Sequence, residues 1–427
     1  MNYLYRTLFD EVKKWIDRKE IIAIKGPRQS GKTTLLKMLS AWLETDKGIA
    51  KENIIYLSFE DRELLDDFTL NPMEFIGSRI IGKDRHYFLI DEAQYCGDLG
   101  QKLKLVYDTY ESTKFIITGS SSLELTAQTG KFLVGRLFEF ELMPLSFYEF
   151  LLAKDRRLAT QFQKENKKII RLIEGAPAFK PKSRDIFVKE LLRYFDEFIA
   201  FGGYPEVVKA KNHKEKIEVL RGIVNTYIQK DVISYLHITD TIKFRKLVVL
   251  LAASDGCILN IDNIAVQISS YFKDTSKLLD ILEQTYVIKL LRPYHKNLVT
   301  EIRKNPKVYF VDTGLRNYLI DNTASIEKRS DAGALAENFV LNEVGRHVKM
   351  NFWRTTAKTE VDFVASKREA VPVEVKFSHF DKSTVTKSVY GFTEAYKSKR
   401  GIMVTKDFWG EKRFHAAKIS FVPICYF

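Results

Sequence analysis

Short apolar runs alternate with amphipathic segments over the first third of the chain. The runs at residues 21–24, 54–59, 87–90 and 114–118 are almost uninterrupted, which is the pattern of strands buried on both faces. Between them, apolar residues recur three and four positions apart, as in helices that pack on a sheet. This alternation predicts an α/β fold, with a parallel sheet covered by helices on both faces.

The pattern changes twice further along the chain. Residues 146–235 predict helices interrupted by a basic stretch at 164–171, in the manner of a helical lid. Three short helices and a hairpin at 240–312 predict a winged helix-turn-helix, and the last hundred residues predict the order αβββαβ. We therefore predict four parts: a core at 1–150, a lid at 151–238, a winged helix-turn-helix with a connector at 239–330, and an α/β domain at 331–427.

Composition indicates which partner, redox environment and cellular location to expect for the protein. The 427 residues carry a formal net charge of +13, which favours a nucleic-acid partner, although a lysine-rich surface alone gives the same balance. Cys96, Cys257 and Cys425 lie too far apart for a metal motif or a disulfide framework, which favours a reducing environment. No apolar run reaches membrane-spanning length and the first residues lack a signal-peptide pattern, so we expect a cytoplasmic protein.

The segment at 26–33, GPRQSGKT, matches the phosphate-binding loop G-x-x-x-x-G-K-[ST] between a predicted strand and a predicted helix. Glycines let backbone N–H groups surround an oxyanion, Lys32 can reach the β- and γ-phosphates, and the Thr33 hydroxyl can bind Mg²⁺. We therefore predict that ATP contacts Gly26, Pro27, Arg28, Gln29, Ser30, Gly31, Lys32, Thr33 and Thr34.

Two acids end the apolar run at 87–92, which is the Walker B pattern downstream of a phosphate-binding loop. We expect Asp91 to hold Mg²⁺ through water, and Glu92 to orient or deprotonate the attacking water. The next strand ends in polar residues at 118–121, from Thr118 to Ser121, which are candidate sensors of the γ-phosphate, and of these we select Thr118. An ordinary Gly-Ser turn is the alternative for that segment.

Basic residues suggest two further contacts. Arg136 is the arginine best placed to act as a finger or sensor, in cis or in trans, and an ordinary surface arginine is the alternative. In the predicted winged helix, the third helix could enter a major groove and the hairpin could form the wing. The residues concerned are Lys273, Thr275, Ser276 and Lys277 in the helix, and Lys296, Arg303 and Lys304 in the hairpin. None is uniquely a base reader, so a module used only for packing is the alternative.

Acidic residues of the last domain fall in an informative pattern. Side chains alternate along a strand, so Glu374 and Lys376 share a face, and Asp362 can lie beside them on the neighbouring strand. This D-x(n)-E-x-K pattern predicts a restriction-endonuclease-like core. Asp362 and Glu374 would chelate Mg²⁺, with Glu337 of the preceding helix as a further acid, and Lys376 would position water or steady the phosphate charge. A chance Asp–Glu-x-Lys is common in a basic chain, so cleavage is a separate question from the fold.

Nearly the whole chain resembles one family. It is similar to prokaryotic AAA-type ATPases, often called archaeal-type ATPases and close to the signal-transducing NTPases, that carry a C-terminal PD-(D/E)xK endonuclease-like domain. The matching strings are GPRQSGKTT (26–34), FLIDEAQ (88–94), ITGSSS (117–122), PLSFYEF (144–150), FGGYPEVV (201–208), VYFVDTGLRNYL (308–319), ALAENFVLNEV (334–344), WRTTAKTEVDFV (353–364) and VEVK (373–376). The resemblance implies ATP hydrolysis at the phosphate loop and the Walker B acids, and an endonuclease-like site in the last domain. Residues 155–183 match no family string and resemble a lid insertion.

Two classes of function fit these observations. The first is an ATP-driven switch acting on DNA, in which nucleotide state repositions the winged helix and a metal-dependent nuclease-like domain. DNA would be cleaved, or remodelled if the nuclease is silent. The second is a non-nucleolytic signalling or oligomerisation module that binds protein partners, a second copy of the chain included. The string DEAQ at 91–94 also suggests a helicase, but the chain lacks a second RecA-like domain.

Overall fold

The computed structural model describes residues 3–120, 132–176, 180–182, 185–226, 240–295, 301 and 304–427. These residues form two units. The first comprises Met1–Leu145 and Gln284–Tyr286, and the second comprises Ser146–Glu283 and Val287–Phe427. Within the described parts of the chain, no helix is long and apolar enough to cross a lipid bilayer.

The first unit is built on a sheet of five parallel strands in the order β2–β3–β4–β1–β5. The strands are β1 (Ile21–Lys25), β2 (Ile54–Ser58), β3 (His86–Asp91), β4 (Thr113–Gly119) and β5 (Leu137–Glu141). Every residue of β1, β3 and β4 is buried, which explains why their sequences show no apolar–polar alternation.

Helices cover both faces of this sheet. They are α1 (Thr7–Lys13), α2 (Lys32–Thr45), α3 (Arg62–Leu70), α4 (Pro72–Gly77) and α5 (Leu99–Thr109). Alternate residues of β1 enter two separate cores: Ile22 packs in one core with Leu36 of α2, and Ile21 in the other with Leu103 of α5. The predicted α/β architecture with a two-sided parallel sheet is thereby confirmed.

The second unit begins with helices α6 (Phe147–Lys154), α7 (Arg156–Ile173), α8 (Val188–Phe201), α9 (Pro205–Lys209) and α10 (His213–Ile223). The expected interruption at 164–171 is wrong, because α7 continues through it. Lys164, Lys167 and Arg171 follow one another at helical spacing on the exposed face, while Phe162 and Ile169 are buried. The basic stretch is therefore the solvent face of an amphipathic helix.

Next come α11 (Thr241–Ala253), α12 (Ile261–Gln267), α13 (Phe272–Gln284) and an antiparallel hairpin of β6 (Ile288–Leu291) and β7 (Lys307–Phe310). The three helices and the hairpin share one hydrophobic core with α10, which includes Phe244, Leu279 and Phe310. The order of elements is the one predicted for a winged helix-turn-helix, and its use on DNA stays a prediction. Lys296 and Arg303, predicted for the wing, lie outside the described residues.

Two family strings that lie far apart in sequence meet in this unit. The carboxylate of Asp312, just before helix α14 (Thr313–Leu319), accepts hydrogen bonds from the backbone N–H groups of Gly203 at 2.7 Å and Leu315 at 2.9 Å. A Cβ atom on Gly202 would lie 2.1 Å from an Asp312 oxygen, and one on Gly314 would lie 1.9 Å from the Phe201 carbonyl oxygen. Glycine is therefore required at both positions to let the two segments approach.

The chain ends in a six-stranded mixed sheet of order β12–β13–β11–β10–β9–β8. Its elements are α15 (Ala332–Val344), β8 (Lys349–Arg354), β9 (Glu360–Ser366), β10 (Ala370–Lys376), α16 (Lys387–Tyr396), β11 (Arg400–Thr405), β12 (Gly410–Phe414) and β13 (Ala417–Pro423). The predicted order αβββαβ holds up to β11. The two strands after it were not predicted, and the mostly exposed side chains of β12 give no hydrophobic signal.

Candidate active sites

The phosphate-binding loop lies at the carboxyl end of the first sheet, between β1 and α2. Gly31 is the N-cap residue of α2, with a φ of 97°, and Gly26 has a φ of 153°. A Cβ atom on Gly26 would lie only 2.2 Å from the carbonyl oxygen of Leu142. The loop therefore needs glycine at these positions to bring its backbone around the N-terminus of α2, where free N–H groups favour an anion.

Lys32 places a positive charge inside this loop. Its side chain is buried, and its Nζ atom donates to the carbonyl oxygens of Gly26 and Pro27, both at 3.0 Å. Burial lowers the pKa of Lys32 to about 8, although the nearby Asp91 and Glu92 favour its charged form. The ammonium group is thus held where the motif requires a partner for the terminal phosphates.

Asp91 gathers three hydroxyl groups at the end of β3. Thr33 Oγ1 donates to Asp91 Oδ2 at 2.6 Å, Tyr56 Oη donates to the same oxygen at 2.9 Å, and the Thr118 hydroxyl donates to Oδ1. Hydroxyl and carboxylate oxygens are the ligands that Mg²⁺ prefers. The structure therefore brings together Thr33, Asp91 and Thr118 as predicted from the sequence, and it adds Tyr56, which has no motif to mark it.

Glu92 lies in the left-handed region, with a φ of 51°, directly after β3. Its backbone N–H donates to Thr118 Oγ1 at 3.1 Å, so Thr118 links both acids. Its carboxylate accepts hydrogen bonds from Gln94 Nε2 and, at 3.3 Å, from Ser120 Oγ. These contacts fix the orientation of a candidate general base. Ser121, the last of the predicted sensor positions, lies outside the described residues.

The loop fits a phosphate group on its own geometry. The Ser30 hydroxyl is fully buried and has no hydrogen-bond partner among the described residues, so a polar ligand could satisfy it. Arg28 reaches Tyr95 Oη at 3.1 Å, and Gln29 has a φ of 60°. Thr34 follows in the first turn of α2, partly exposed.

Arg6 supports the loop from outside and was missed in the sequence. Its buried guanidinium donates from Nη1 to the Ser30 carbonyl oxygen at 2.6 Å, and from Nη2 to the Met143 carbonyl oxygen. The contact joins the segment before α1 to the loop and to the segment after β5. No local pattern marks it, because its partners are distant in sequence.

Arg136 lies at the amino ends of the strands of the first sheet, whereas the phosphate loop lies at their carboxyl ends. It immediately precedes β5, which runs parallel to β1 with Leu137 opposite Ile21, and its guanidinium pairs with Asp108 at 3.0 Å. The intervening five-residue strand is about 16 Å long. The structure therefore does not bring Arg136 to the loop of its own chain, and a contribution to another copy stays a prediction.

The predicted endonuclease-like residues cluster in the last sheet. Asp362 of β9 accepts a hydrogen bond from the backbone N–H of Val375 at 2.8 Å, which fixes it beside β10. Lys376 Nζ lies 3.0 Å from Glu374 Oε1 and 3.7 Å from Asp362 Oδ2. The D-x(n)-E-x-K residues therefore lie together, as their alternation along the strands predicted.

Burial and mutual repulsion perturb these carboxylates. Burial, together with the charge of Asp362, raises the pKa values of Glu337 and Glu374 to about 7, and burial also raises the pKa of Asp362. Burial alone would lower the pKa of Lys376, but Asp362 and Glu374 outweigh it and raise that pKa. Such a cluster is most stable when a cation neutralises it.

One oxygen of the cluster is available to a cation. Glu374 Oε2 is buried and has no hydrogen-bond partner among the described residues, which fits a metal ligand. Across the part of the chain that the structure describes, no three acidic, histidine or cysteine side chains are placed to hold one metal ion. The chemistry therefore fits Mg²⁺ held by Asp362 and Glu374, with water or substrate completing its shell.

Glu337, the further acid predicted on α15, has other partners. Tyr309 Oη donates to Glu337 Oε2 at 2.8 Å, and Lys307 Nζ lies 3.8 Å from the same oxygen. Lys307 also pairs with Glu360 at 2.5 Å. Lys307 and Tyr309 both belong to β7, which lies outside the domain at 331–427 that was predicted to hold the site.

The sheet and the loop of the first unit have the arrangement of a P-loop nucleotide-binding core, and a family model matches this part of the chain. Residues 18–151 match the family described as an AAA domain, AAA_14. Two further segments match families described only as domains of unknown function, DUF8612 over residues 192–326 and DUF4143 over residues 332–427. The nuclease-like assignment of the last domain thus stays a prediction.

Relatives of similar length occur in bacteria and archaea. An uncharacterized protein of Haemophilus influenzae is 27% identical over 433 residues, which cover 99% of this chain and 96% of the relative. One from Methanocaldococcus jannaschii is 26% identical over 354 residues, with 81% and 72% coverage. The structure of the Aeropyrum pernix ORC2 protein in its ADP form covers 74% of this chain and 93% of its own, with a TM-score of 0.34 and 12% identity. That structural likeness is too small to support a functional assignment.

Proposed function

We propose that the protein hydrolyses ATP with Mg²⁺ at the first site, and that nucleotide state controls its action on DNA. The observation that carries the hydrolysis is the link from Thr33 through Asp91 to Thr118 and Glu92. It joins a metal-binding pair to a candidate base at the carboxyl edge of a parallel sheet, where such folds bind ligands. Mg²⁺-dependent release of phosphate from ATP by the full chain tests the proposal.

Each residue of the site has a distinct task in this reaction. The loop backbone and Lys32 bind the terminal phosphates, and Thr33 and Asp91 hold the metal. When bound, Mg²⁺ neutralises charge that develops on the phosphate oxygens. Glu92, oriented by its contacts with Gln94 and Ser120, takes a proton from the attacking water.

The start of α13 supports DNA as the partner. Tyr271 and Phe272 are 81% and 53% exposed, and Lys273 and Lys277 are exposed beside them. Thr275, predicted to face a groove, is instead fully buried and packs inside the module. Exposed aromatic and basic side chains offer stacking and phosphate contacts together, which is what nucleic acid requires.

We expect the double variant Lys273→Glu, Lys277→Glu to bind random duplex DNA at least tenfold more weakly than the wild-type chain at low salt. If both lysines contact phosphates, the slope of log affinity against log salt should fall by about 2. Fluorescence anisotropy over a salt series measures both quantities.

The matched control is Lys164→Glu, Lys167→Glu on the exposed face of α7, which changes the net charge equally. Equal losses of DNA affinity in the two double variants would show that only overall charge matters, and would rule out α13 as the DNA-binding surface. Absence of duplex binding by the wild-type chain at low salt would favour the non-nucleolytic module that binds protein partners.

The last sheet supports a second activity, metal-dependent cleavage of phosphodiester bonds. The unpartnered Glu374 oxygen, the adjacent Asp362 and the Lys376 ammonium group are what this activity needs. Asp362 and Glu374 would hold the metal ion, which when bound activates water and stabilises charge on the phosphate. Lys376 would donate to a phosphate oxygen as negative charge develops.

We expect the full chain to nick supercoiled plasmid DNA with Mg²⁺ or Mn²⁺, at a rate that changes when ATP is added. Glu374→Gln should lower nicking at least a hundredfold and leave ATP hydrolysis within twofold, because the variant removes a metal ligand and no group of the first site. Glu394→Gln, an exposed acid on α16, is the matched control. Nicking that survives Glu374→Gln would come from another source, and none in any condition, with ATP hydrolysis intact, would remove the nuclease.

A further inference from the structure

We infer that Lys307 serves as an internal cation of the C-terminal carboxylate cluster, and that a divalent metal ion must displace its ammonium group to bind Glu337. The cluster is defined here as Glu337, Glu360, Asp362, Glu374 and Lys376. This inference rests on the proposed metal binding by the cluster and adds a residue that controls it.

Lys307 is held as firmly as a core residue. It is the first residue of β7, is only 4% exposed, and lies with its Nζ atom 2.5 Å from Glu360 Oε1 and 3.8 Å from Glu337 Oε2. The same atom lies 5.5 Å from the centre of the Phe352 ring, which favours a cation further. A buried ammonium group with two carboxylate partners stabilises those carboxylates as a bound metal ion would.

Tyr309 also contacts the cluster, from the same face of β7 as Lys307. Residues two apart on a strand point the same way, so Lys307 and Tyr309 both reach the cluster. Tyr309 is fully buried, and its hydroxyl donates to Glu337 Oε2 at 2.8 Å. The oxygen of Glu337 that faces β7 therefore has one hydrogen-bond donor, Tyr309, and one ion-pair partner, Lys307, both from outside its own domain.

Strand β7, which carries Lys307 and Tyr309, is held near helix α15 by hydrogen bonds at its next residue, Phe310. Phe310 donates its backbone N–H to Asp255 Oδ1 at 2.9 Å, and Asn338 Nδ2 donates to both carboxylate oxygens of Asp255, at 3.0 and 2.9 Å. Asn338 follows Glu337 directly on the helix. This buried hydrogen-bond network therefore fixes the position of Lys307 relative to Glu337, and no exposed side chain has to rearrange to bring them together.

Charge balance explains why metal and lysine compete. Four carboxylates of the cluster face three basic side chains: Lys307, Lys376 and Arg354, whose Nη1 atom lies 3.5 Å from Glu360 Oε2. Lys376 neutralises Glu374 and Asp362 and leaves Glu374 Oε2 without a partner, whereas Lys307 and Tyr309 occupy the Glu337 side. Removing the Lys307 charge leaves Glu337 and Glu360, both partly buried, beside the buried Asp362 with one positive neighbour fewer, an arrangement that a divalent cation relieves.

The test is Mn²⁺ binding to the full chain, measured by isothermal titration without nucleotide. Binding that is lost in Asp362→Asn is assigned to the cluster. We expect Lys307→Met to tighten this binding at least fivefold relative to the wild-type chain, and Tyr309→Phe to tighten it about twofold, because the latter removes a hydrogen bond and no charge. Lys412→Met, an exposed lysine on β12, should leave it unchanged.

Thermal unfolding shows which variants are folded, and Tyr309→Phe decides the question if Lys307→Met does not fold. Unchanged or weaker binding in the folded variants would overturn the inference, as would the absence of any binding that depends on Asp362. A chain that binds Mn²⁺ in this manner yet never nicks DNA would remove the proposed cleavage and leave the role of Lys307 intact.

Discussion

Replacing Lys32 by alanine will weaken binding of ATP analogues and slow ATP hydrolysis, with a loss of at least about a hundredfold in kcat/KM. The substitution removes the charge that the loop holds for the terminal phosphates, and it removes the hydrogen bonds from Nζ to the carbonyl oxygens of Gly26 and Pro27. Titration of a fluorescent ATP analogue and a phosphate-release assay measure the two effects separately.

Lys37→Ala is the matched control, because Lys37 lies on the same helix and is exposed. It should change both quantities by less than twofold. The melting temperature of each variant shows whether the loop still folds. If Lys32→Ala binds the analogue as tightly as the wild-type chain does, the loop at 26–33 is not the nucleotide site, and the proposed ATPase loses its basis.

Glu92→Gln should separate binding from hydrolysis. Glutamine preserves the shape of the side chain but cannot accept a proton, so we expect kcat to fall by about 10²–10⁴-fold, the usual range for a general base. Affinity for ATP should stay within about threefold, since the loop and Asp91 are untouched. Single-turnover hydrolysis and analogue binding on the same preparation give both values.

Glu44→Gln, an exposed acid at the far end of α2 from the loop, controls for the loss of one negative charge. Unchanged turnover in Glu92→Gln would exclude Glu92 as the base. A parallel loss of binding would show that its contacts with Gln94 and Ser120 maintain the site, and that its role is structural.

The sequence predicts what depends on neighbours in the chain. The phosphate loop follows from eight consecutive residues, and the strands of the first sheet follow from apolar runs. The meeting of Asp362 with Glu374 and Lys376 follows from alternation along two strands. The position of Arg136 could also have been predicted from the sequence. It precedes the strand β5, so it lies at the amino ends of the strands, away from the loop.

Contacts between distant segments were beyond such reasoning. Arg6 reaches the loop, and Lys307 reaches Glu337, through packing that no local pattern encodes. Tyr56 meets Asp91 only because β2 and β3 are neighbours in the sheet. The basic face of α7 was mistaken for a break because its charge pattern was weighed without the apolar spacing beneath it.

The hydrogen bonds between β7 and α15 limit how these chains can recombine during evolution. A crossover near residue 331, where the last domain was predicted to begin, would part Lys307 from Glu337 and Asp255 from Asn338. Each hybrid would inherit buried charges without their native partners, at a cost of several kcal/mol. Exchange of the C-terminal domain between relatives therefore has to carry the chain from about Asp255 onward, including the hairpin, along with it.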